Sequence, residues 1–283
     1  MDTKEYIDLY YIGCKGSTLY KRAKYTINDA INRKFDSILF IEVTEGREFI
    51  QSGAYRRAGC NDGLYVGSWC QEASEGKPFY VTLPILKKGC GVNEYKFRSK
   101  DYLLGYVEGV LSSTLSNFKG FYWNFESIAQ FTISAFGLRD LANAVSNLVF
   151  DYDLELIWIP ATLGMPVSQL RVLDLESALQ YFTKVFFQPN YYMRYRTYDG
   201  KPYTYDKLVE LVEYVTTLSP FSYIEFEADV RVLNKNERDI RIKRACDYIK
   251  ALKDLGIKQK VRAYYHDVDI KVVDVVRSKC PNW

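Results

Sequence analysis

The sequence predicts a single (β/α)8 barrel, a TIM barrel, as one domain over residues 1–283. Three observations support this fold: eight short apolar runs, helix-periodic segments between them, and a spacing of about 30 to 40 residues between runs. The runs are nearly continuously apolar, which is typical of parallel strands covered on both faces. Eight predicted strands therefore alternate with helical segments.

The eight predicted strands share a high content of Ile, Val, Leu, Phe and Tyr. They are Tyr6–Gly13, Ser37–Val43, Phe79–Leu86, Gly120–Phe125, Leu154–Pro160, Lys184–Gln188, Ser222–Glu227 and Val261–His266.

The segments between the strands carry apolar residues at helical spacing. The predicted helices are Thr18–Arg33, Asp101–Leu115, Ser127–Val149, Ser168–Phe182, Tyr205–Leu218, Glu237–Leu255 and Asp269–Lys279.

Two long segments are predicted to be loops over the barrel mouth. Residues 44–78 contain six glycines that interrupt any helical pattern, and Gln188–Tyr205 contains two prolines and six tyrosines. The alternative fold is a doubly wound open sheet, which usually keeps a Gly-rich phosphate loop after its first strand. That position reads Gly13-Cys-Lys-Gly-Ser-Thr18 and matches neither phosphate-binding pattern, so the barrel is favoured.

Composition gives no support for a nucleic-acid partner, because 38 basic and 35 acidic residues leave a formal charge of only +3. The start of the sequence does not resemble a secretory signal, and no apolar run is long enough to span a membrane. We therefore expect a soluble, cytoplasmic protein without nucleic-acid or membrane partners. Its oligomeric state is not predicted.

The six cysteines are scattered and include no C-x-x-C pair, which argues against a zinc ribbon or a thioredoxin-type centre. Most are expected to be small buried residues. Cys60, Cys70 and Cys90 lie in one Gly-rich region where a disulfide is conceivable, although a reducing cytosol would oppose it.

Acids, amides and large aromatic residues concentrate at the carboxyl ends of the predicted strands, where barrel enzymes place their sites. Carboxylates alternate with apolar residues at Glu225, Glu227 and Asp229, so all three would share one strand face. A buried carboxylate is costly unless it is compensated. Glu225 is expected either to pair with Arg262 on the neighbouring strand or to face a polar cleft.

Glycosidic bond cleavage requires one acid that protonates the leaving oxygen and one carboxylate that attacks the anomeric carbon or activates water. Glu126, after the fourth strand, and Glu227 or Glu225, on the seventh, are the candidate catalytic residues. We expect Glu126 to be the acid/base and Glu227 the nucleophile or base, supported by Glu225. For Glu126 the alternative is capping of the next helix.

Further residues near the strand ends are candidates for binding sugar hydroxyls or stacking on sugar rings. They are Glu42, Asn124, Trp123, Trp158, Gln188, Asn190, Tyr191, Asp229, Tyr265 and His266. For the tryptophans the alternative is core packing. For His266, the single histidine, the alternative is an internal hydrogen bond.

The motifs Gly-Phe-Tyr-Trp-Asn-Phe-Glu (120–126), Ile-Trp-Ile-Pro (157–160), Gln-Pro-Asn-Tyr (188–191) and Ile-Glu-Phe-Glu (224–227) resemble, in order, those of the family of domain of unknown function 4855. The arrangement also resembles the retaining glycoside hydrolases with (β/α)8 barrels, whose acid/base follows the fourth strand and whose nucleophile ends the seventh. That clan places Asn directly before the acid/base, whereas Phe125 separates Asn124 from Glu126. The resemblance implies a glycosidase-like barrel with a carbohydrate substrate.

Two other functions remain open at this point. One is a glycan-binding barrel without a working catalytic pair. The other is an enzyme that binds magnesium or calcium through Glu225, Glu227, Asp229 and Glu42. The favoured glycosidase function requires no cofactor and no metal.

Overall fold

The computed structural model describes residues 4–15, 18–43, 56–84, 100–113, 116–132 and 137–283. They form one sheet surrounded by helices. The strands are β1 (Glu5–Lys15), β2 (Thr18–Lys21), β3 (Ser37–Val43), β4 (Phe79–Leu83), β5 (Phe118–Trp123), β6 (Glu155–Trp158), β7 (Lys184–Phe187), β8 (Ser222–Ile224), β9 (Phe226–Glu227) and β10 (Val261–Tyr265).

The sheet closes into a barrel through the segment that contains β8 and β9. Apart from the β1–β2 hairpin, all neighbouring strands are parallel, in the order β8-β7-β6-β5-β4-β3-β1-β10-β9. Ile224 of β8 pairs with Phe187, and Phe226 of β9 pairs with Tyr264 on the opposite side. Only Glu225 separates β8 from β9, so they are two halves of one strand. The prediction of an eight-stranded TIM barrel is confirmed.

The helices lie between consecutive strands along the chain. They are α1 (Ile27–Asn32), α2 (Arg56–Ala73), α3 (Lys100–Ser112), α4 (Ile128–Thr132), α5 (Leu138–Phe150), α6 (Val167–Leu170), α7 (Leu175–Leu179), α8 (Tyr205–Thr217), α9 (Arg238–Asp254) and α10 (Lys271–Arg277), with a 3-10 turn at Val230–Leu233. The predicted helices 127–149 and 168–182 each correspond to two shorter helices. No helix in these ranges combines the length and the apolar surface needed to cross a membrane.

The prediction of a helix over 18–33 is wrong for its first half. Residues 18–21 form β2, which pairs antiparallel with the extended end of β1, and Gly13 lies opposite Tyr20. Leu19 is buried while its neighbours are exposed, which is the alternation of a strand with one covered face. The helix begins only at Ile27, where Thr26 and Asp29 form a reciprocal capping box.

The predicted mouth loop over 44–78 is wrong for residues 56–73, which form α2; residues 44–55 lie outside the described part. Gly59 and Gly63 face α3 rather than breaking the helix. A Cβ atom at either position would lie 2.0 Å from a backbone carbonyl oxygen of α3, that of Tyr102 or Tyr106. These glycines therefore allow two helices to pack backbone against backbone.

The barrel interior has an apolar middle and a charged layer at the amino-terminal ends of the strands. Leu9, Leu39, Tyr80, Ile157 and Phe186 belong to the cluster of buried residues inside the sheet.

In the charged layer, Lys184 donates to Glu5 at 2.7 Å and to Glu155 at 2.5 Å, and Lys119 also pairs with Glu5. Tyr80 donates its hydroxyl hydrogen to Glu155 at 2.7 Å. The network closes the end of the barrel opposite the mouth.

The disulfide of the structure lies outside the Gly-rich region. Cys246 of α9 is bonded to Cys280 beyond α10, with their Cα atoms 5.7 Å apart. Cys60 keeps a free thiol, and Cys90 lies outside the described residues. Local sequence patterns do not reveal this pair, because its partners are 34 residues apart and lie on different elements.

Candidate active site

Two glutamates and three tyrosines gather at the carboxyl ends of the strands, inside the barrel. Glu126 follows β5 and is half-buried; its Oε1 atom accepts a hydrogen bond of 2.9 Å from the hydroxyl of Tyr122. Tyr11 of β1 and Tyr265 of β10 meet edge to face with ring centroids 6.1 Å apart. Glu225 is the second acid, and its charge influences both Tyr11 and Tyr122. These five residues are called the mouth cluster below.

Glu225 is a buried acid that forms no ion pair with any of the described residues. It is 2% exposed, and its Oε1 atom has no hydrogen-bond partner among the described residues. Burial raises its pKa well above the usual value, and the negative charges of Glu227 and Glu126 raise it further. Both effects favour the protonated form of Glu225.

The predicted pairing of Glu225 with Arg262 is wrong. Arg262 lies on the outer face of β10, where its Nη1 atom donates to the carbonyl of Asn282 at 2.5 Å and its guanidinium lies 4.9 Å from the Phe226 ring. The reason is strand alternation: Ala263 faces the barrel interior, so its neighbour Arg262 must face outward.

Glu227 is held by hydrogen bonds from Asn190 and Tyr248. Its carboxylate accepts from the Asn190 amide at 3.2 Å and from the hydroxyl of Tyr248 on α9, and only 2% of the residue is exposed. Burial raises the pKa of Glu227 to about 7, although the hydrogen bonds from Tyr248 and Asn190 lower it. The Oδ1 atom of Asn190 in turn accepts from the Leu163 amide at 2.7 Å.

Asp229 caps the turn after β9. Its carboxylate forms an ion pair of 2.7 Å with Arg231, accepts from the Arg231 backbone amide and accepts from the Tyr192 hydroxyl at 2.9 Å. Burial alone would raise its pKa, but these bonds outweigh burial and lower it. These internal donors engage the Asp229 carboxylate, and binding of substrate by Asp229 stays a prediction.

The prediction of Trp123 and Trp158 as sugar platforms is also wrong. Both side chains are fully buried between the sheet and the helices. The ring of Phe131 lies 4.7 Å from Trp158 and 5.9 Å from Trp123, and the Trp158 indole donates to the carbonyl of Phe125 at 2.8 Å. Both tryptophans pack in the core, which was the alternative interpretation of the sequence.

His266 and Tyr191 were predicted at the mouth, and both lie behind the strands instead. His266 is fully buried, with its Nε2 atom 2.5 Å from Asp8 Oδ1, and the same carboxylate accepts from the Tyr25 hydroxyl at 3.1 Å. The Tyr191 hydroxyl donates to Asp247 at 2.9 Å, and Arg244 lies 3.5 Å above the Tyr191 ring. Tyr191 comes after β7 and His266 directly after β10, and the side chains of both face the surrounding helices and loops.

The remaining candidates stay near the strand ends. Asn124 follows β5 and is 9% exposed, and its Oδ1 atom finds no partner among the described residues. Gln188 is half-buried, with its amide nitrogen 3.5 Å from the carbonyl of Ile159. Tyr265 belongs to the mouth cluster. Glu42 lies in β3, and its side chain is outside the described part.

Sequence reasoning missed Tyr11, Tyr122 and Tyr248. The first two were absorbed into apolar strand runs, although Tyr122 lies four residues before Glu126 and shares the inward face of its strand. Counting alternate positions back from Glu126 would have found it. No local signal points to Tyr248, which lies 21 residues beyond Glu227 on a helix.

In the described ranges, no three His, Cys, Asp or Glu side chains are arranged to hold a metal ion. Two residues of the hypothetical magnesium or calcium site, Glu227 and Asp229, are committed to Tyr248, Asn190 and Arg231. What the mouth cluster can do is exchange protons. It combines two carboxyl groups in different environments with three tyrosine hydroxyls.

Similar proteins exist among both sequences and solved structures. The uncharacterized protein MJ0957 of Methanocaldococcus jannaschii is 29% identical to this chain, over 94% of this chain and 91% of its own length. A glycoside hydrolase family 17 beta-1,3-glucanosyltransferase from Rhizomucor miehei superposes with a TM-score of 0.46 and 13% identity, covering 91% of this chain and 86% of the other. Methylornithine synthase (PylB) superposes with a TM-score of 0.47 and 11% identity, covering 99% and 83%.

The family assignment rests on a sequence model. The model described as Domain of unknown function (DUF4855) matches residues 113–283, which include β5 to β10, Glu126, Glu225 and Glu227. This match spans more than half of the chain. The protein therefore belongs to the DUF4855 family.

Proposed function

We propose that the protein is a carbohydrate-active enzyme that cleaves or transfers glycosidic bonds with Glu126 and Glu225 as its carboxylate pair. One arrangement supports the proposal: Glu126 follows β5 and accepts from the Tyr122 hydroxyl, Glu225 joins β8 to β9 at the same end of the barrel, and the charge of Glu126 raises the pKa of Glu225. Two interacting carboxyl groups in different environments are what an acid and a carboxylate partner require.

The environments support different roles for the two residues. Glu225, whose burial favours the protonated form, donates its proton to the glycosidic oxygen as the bond from that oxygen to the anomeric carbon breaks. Glu126, fixed by the Tyr122 hydroxyl, supplies the carboxylate that attacks the anomeric carbon or takes a proton from the attacking water. In this assignment Glu225 takes the place of Glu227, whose carboxylate is held by Asn190 and Tyr248. The acid then lies on the seventh predicted strand and the carboxylate partner after the fourth, the reverse of the roles expected from sequence.

The roles can be separated with aryl glycosides that differ in leaving group. A panel of sugars would first be tested for release of the aryl alcohol. A dinitrophenyl leaving group needs no protonation, so Glu225→Gln should keep most activity on it and lose about 10²–10⁴-fold on a methoxyphenyl glycoside. Glu126→Gln should lose activity on both substrates.

Glu176→Gln, at an exposed position on α7, is the matched control and should keep full activity on both substrates. Wild-type activity in both Glu126→Gln and Glu225→Gln would overturn the proposal. If instead Glu126→Gln kept its activity on the dinitrophenyl glycoside and Glu225→Gln lost activity on both substrates, Glu126 would be the acid and Glu225 the carboxylate partner.

A glycan-binding barrel without turnover is the second candidate, because only 2% of Glu225 is accessible. In that case oligosaccharides would bind by calorimetry with no cleavage product, and Glu126→Gln and Glu225→Gln would bind as tightly as the wild type.

A further inference from the structure

A cavity of about 470 Å³ lies at the end of the barrel opposite the mouth. Lys4 precedes β1 and Lys260 precedes β10, so both mark the amino-terminal ends of their strands. The end of α9 and the segment that follows it supply the other wall. The cavity is thus separated from the mouth cluster by the length of the barrel.

The walls of this cavity carry charge of one sign. Lys4, Lys253, Lys258, Lys260 and Arg262 line it, and none of the described residues around it is an Asp or Glu. The chain as a whole has 38 basic and 35 acidic residues, so average composition does not account for a lining in which Lys4, Lys253, Lys258 and Arg262 are joined by a further lysine. The clustered charge favours an anion.

Helix capping explains only part of this charge. Cations are favourable near the last turn of a helix, which accounts for Lys253 in α9 and for Lys258 shortly after it. Lys4, Lys260 and Arg262 come from strand starts, to which this explanation does not apply.

The floor of the cavity is apolar. Ile249 and Ile257 are half-buried, Leu252 is buried, and the ring of Tyr6 completes the surface. These groups suit an uncharged organic part of a ligand, because covering apolar surface removes it from water, which is favourable. An inorganic anion alone would leave this floor uncovered.

Arg262 is held in place for a ligand. Its Nε atom donates to the Gln259 carbonyl at 3.3 Å and its Nη1 atom to the Asn282 carbonyl at 2.5 Å, and its guanidinium lies 5.4 Å above the Tyr6 ring. Its Nη2 atom has no acceptor among the described residues. A fixed guanidinium with a spare donor is well suited to phosphate oxygens.

We propose that this cavity binds a phosphate ester whose organic part packs on Tyr6, Ile249 and Ile257. Phosphate fits better than a carboxylate, because a phosphate group carries about two negative charges at neutral pH against one for a carboxylate, and five cations line the site. The site does not depend on the glycosidase proposal, since it shares no residue with the mouth cluster.

Calorimetry on the whole protein tests the site with adenosine diphosphate, inorganic pyrophosphate and adenosine as probes. Adenosine diphosphate should bind with a Kd below about 1 mM, pyrophosphate more weakly, and adenosine not measurably. The triple variant Lys4→Gln, Lys253→Gln, Lys258→Gln should weaken adenosine diphosphate binding by about tenfold or more, because exposed charges are removed from around the phosphates.

The control removes three exposed lysines elsewhere, in the variant Lys24→Gln, Lys235→Gln, Lys271→Gln, and should leave the Kd unchanged. Equal weakening in both triple variants would mean unspecific charge attraction and would overturn the site. Absence of saturable binding to the wild type would also overturn it, and so would equal affinity for pyrophosphate and adenosine diphosphate. Thermal unfolding of each variant checks that the fold is retained.

Discussion

The Nδ2 atom of Asn190 lies 3.2 Å from the Oε1 atom of Glu227 and ties the loop after β7 to the end of β9. Tyr248 donates to the other carboxylate oxygen from α9. Glu227 is therefore held from two sides by elements outside the barrel interior. Its charge raises the pKa of Glu225 and that of Tyr265, so it influences the mouth cluster.

The Tyr248→Phe variant should move the basic limb of the pH–rate profile to lower pH. The Tyr248 hydroxyl stabilises the charged form of Glu227, so its loss raises the pKa of Glu227. Glu227 is then more often neutral at pH 7, which removes negative charge beside Glu225 and lowers the pKa of Glu225. If Glu225 is the proton donor, it loses its proton at lower pH.

The profile of kcat/KM against pH measures this shift for Tyr248→Phe. Tyr205→Phe is the matched control, because the Tyr205 hydroxyl also donates to a carboxylate, that of Asp254 on the protein surface. An unchanged basic limb in Tyr248→Phe would contradict the coupling of Glu227 to Glu225.

The Tyr122→Phe variant should lower kcat by about tenfold with a small change in stability, because the Glu126 carboxylate loses the donor that orients it. The measurement is kcat on the best aryl glycoside together with urea unfolding. Tyr10→Phe is the control: the Tyr10 hydroxyl donates to the Tyr25 carbonyl behind the strands, so kcat should not change. A kcat equal to that of the wild type in Tyr122→Phe would remove Tyr122 from the site.

The barrel could be predicted from sequence because each strand is a local run of apolar residues. Ser37–Val43 was predicted to the residue. The glycines of α2 misled the prediction, because Gly59 and Gly63 contact α3, a segment about 40 residues further along the chain, and a local pattern does not reveal such a contact.

The site was only partly predictable for a similar reason. Alternation placed Glu225 and Glu227 on one strand face, but it could not show that Tyr248 and Asn190 hold only Glu227. Strand β8 pairs with β7 and β9 pairs with β10, so the strand changes partner at Glu225. A single sequence does not show which strands pair.

Stability should fall as the pH rises from about 4.5 to about 7. Burial raises the pKa of Glu227 from 4.5 to about 7, so the folded state binds more protons than the unfolded state inside this window. The stabilisation is complete below pH 4.5 and lost above pH 7. The loss for Glu227 alone is about 3 kcal/mol as an upper limit, and Glu225 acts in the same direction.

Urea unfolding of the wild type at pH 5 and pH 8 measures this dependence. Glu227→Gln cannot ionise and should lose less free energy of unfolding between the two pH values than the wild type does. Glu176→Gln, at an exposed position, should behave as the wild type. Identical pH dependence in Glu227→Gln and the wild type would show that Glu227 titrates normally.

Lys184→Met should destabilise the fold by about 3–5 kcal/mol, because it leaves Glu5 and Glu155 at the closed end of the barrel without their shared cation. Burial would raise the pKa of Glu5, but the charges of Lys184 and Lys119 outweigh burial and hold the pKa at about 2. This stabilisation of the wild type is complete above pH 4.5 and is lost as the pH falls through 2.

The difference in unfolding free energy between Lys184→Met and the wild type should therefore be largest near pH 6 and smaller at pH 3, where protonation of Glu5 in the variant relieves its unpaired charge. Lys235→Met, at an exposed position, should cost little at either pH. If the difference were the same at pH 3 and pH 6, lost packing rather than lost charge would explain the effect, and the network would stabilise the barrel by filling space.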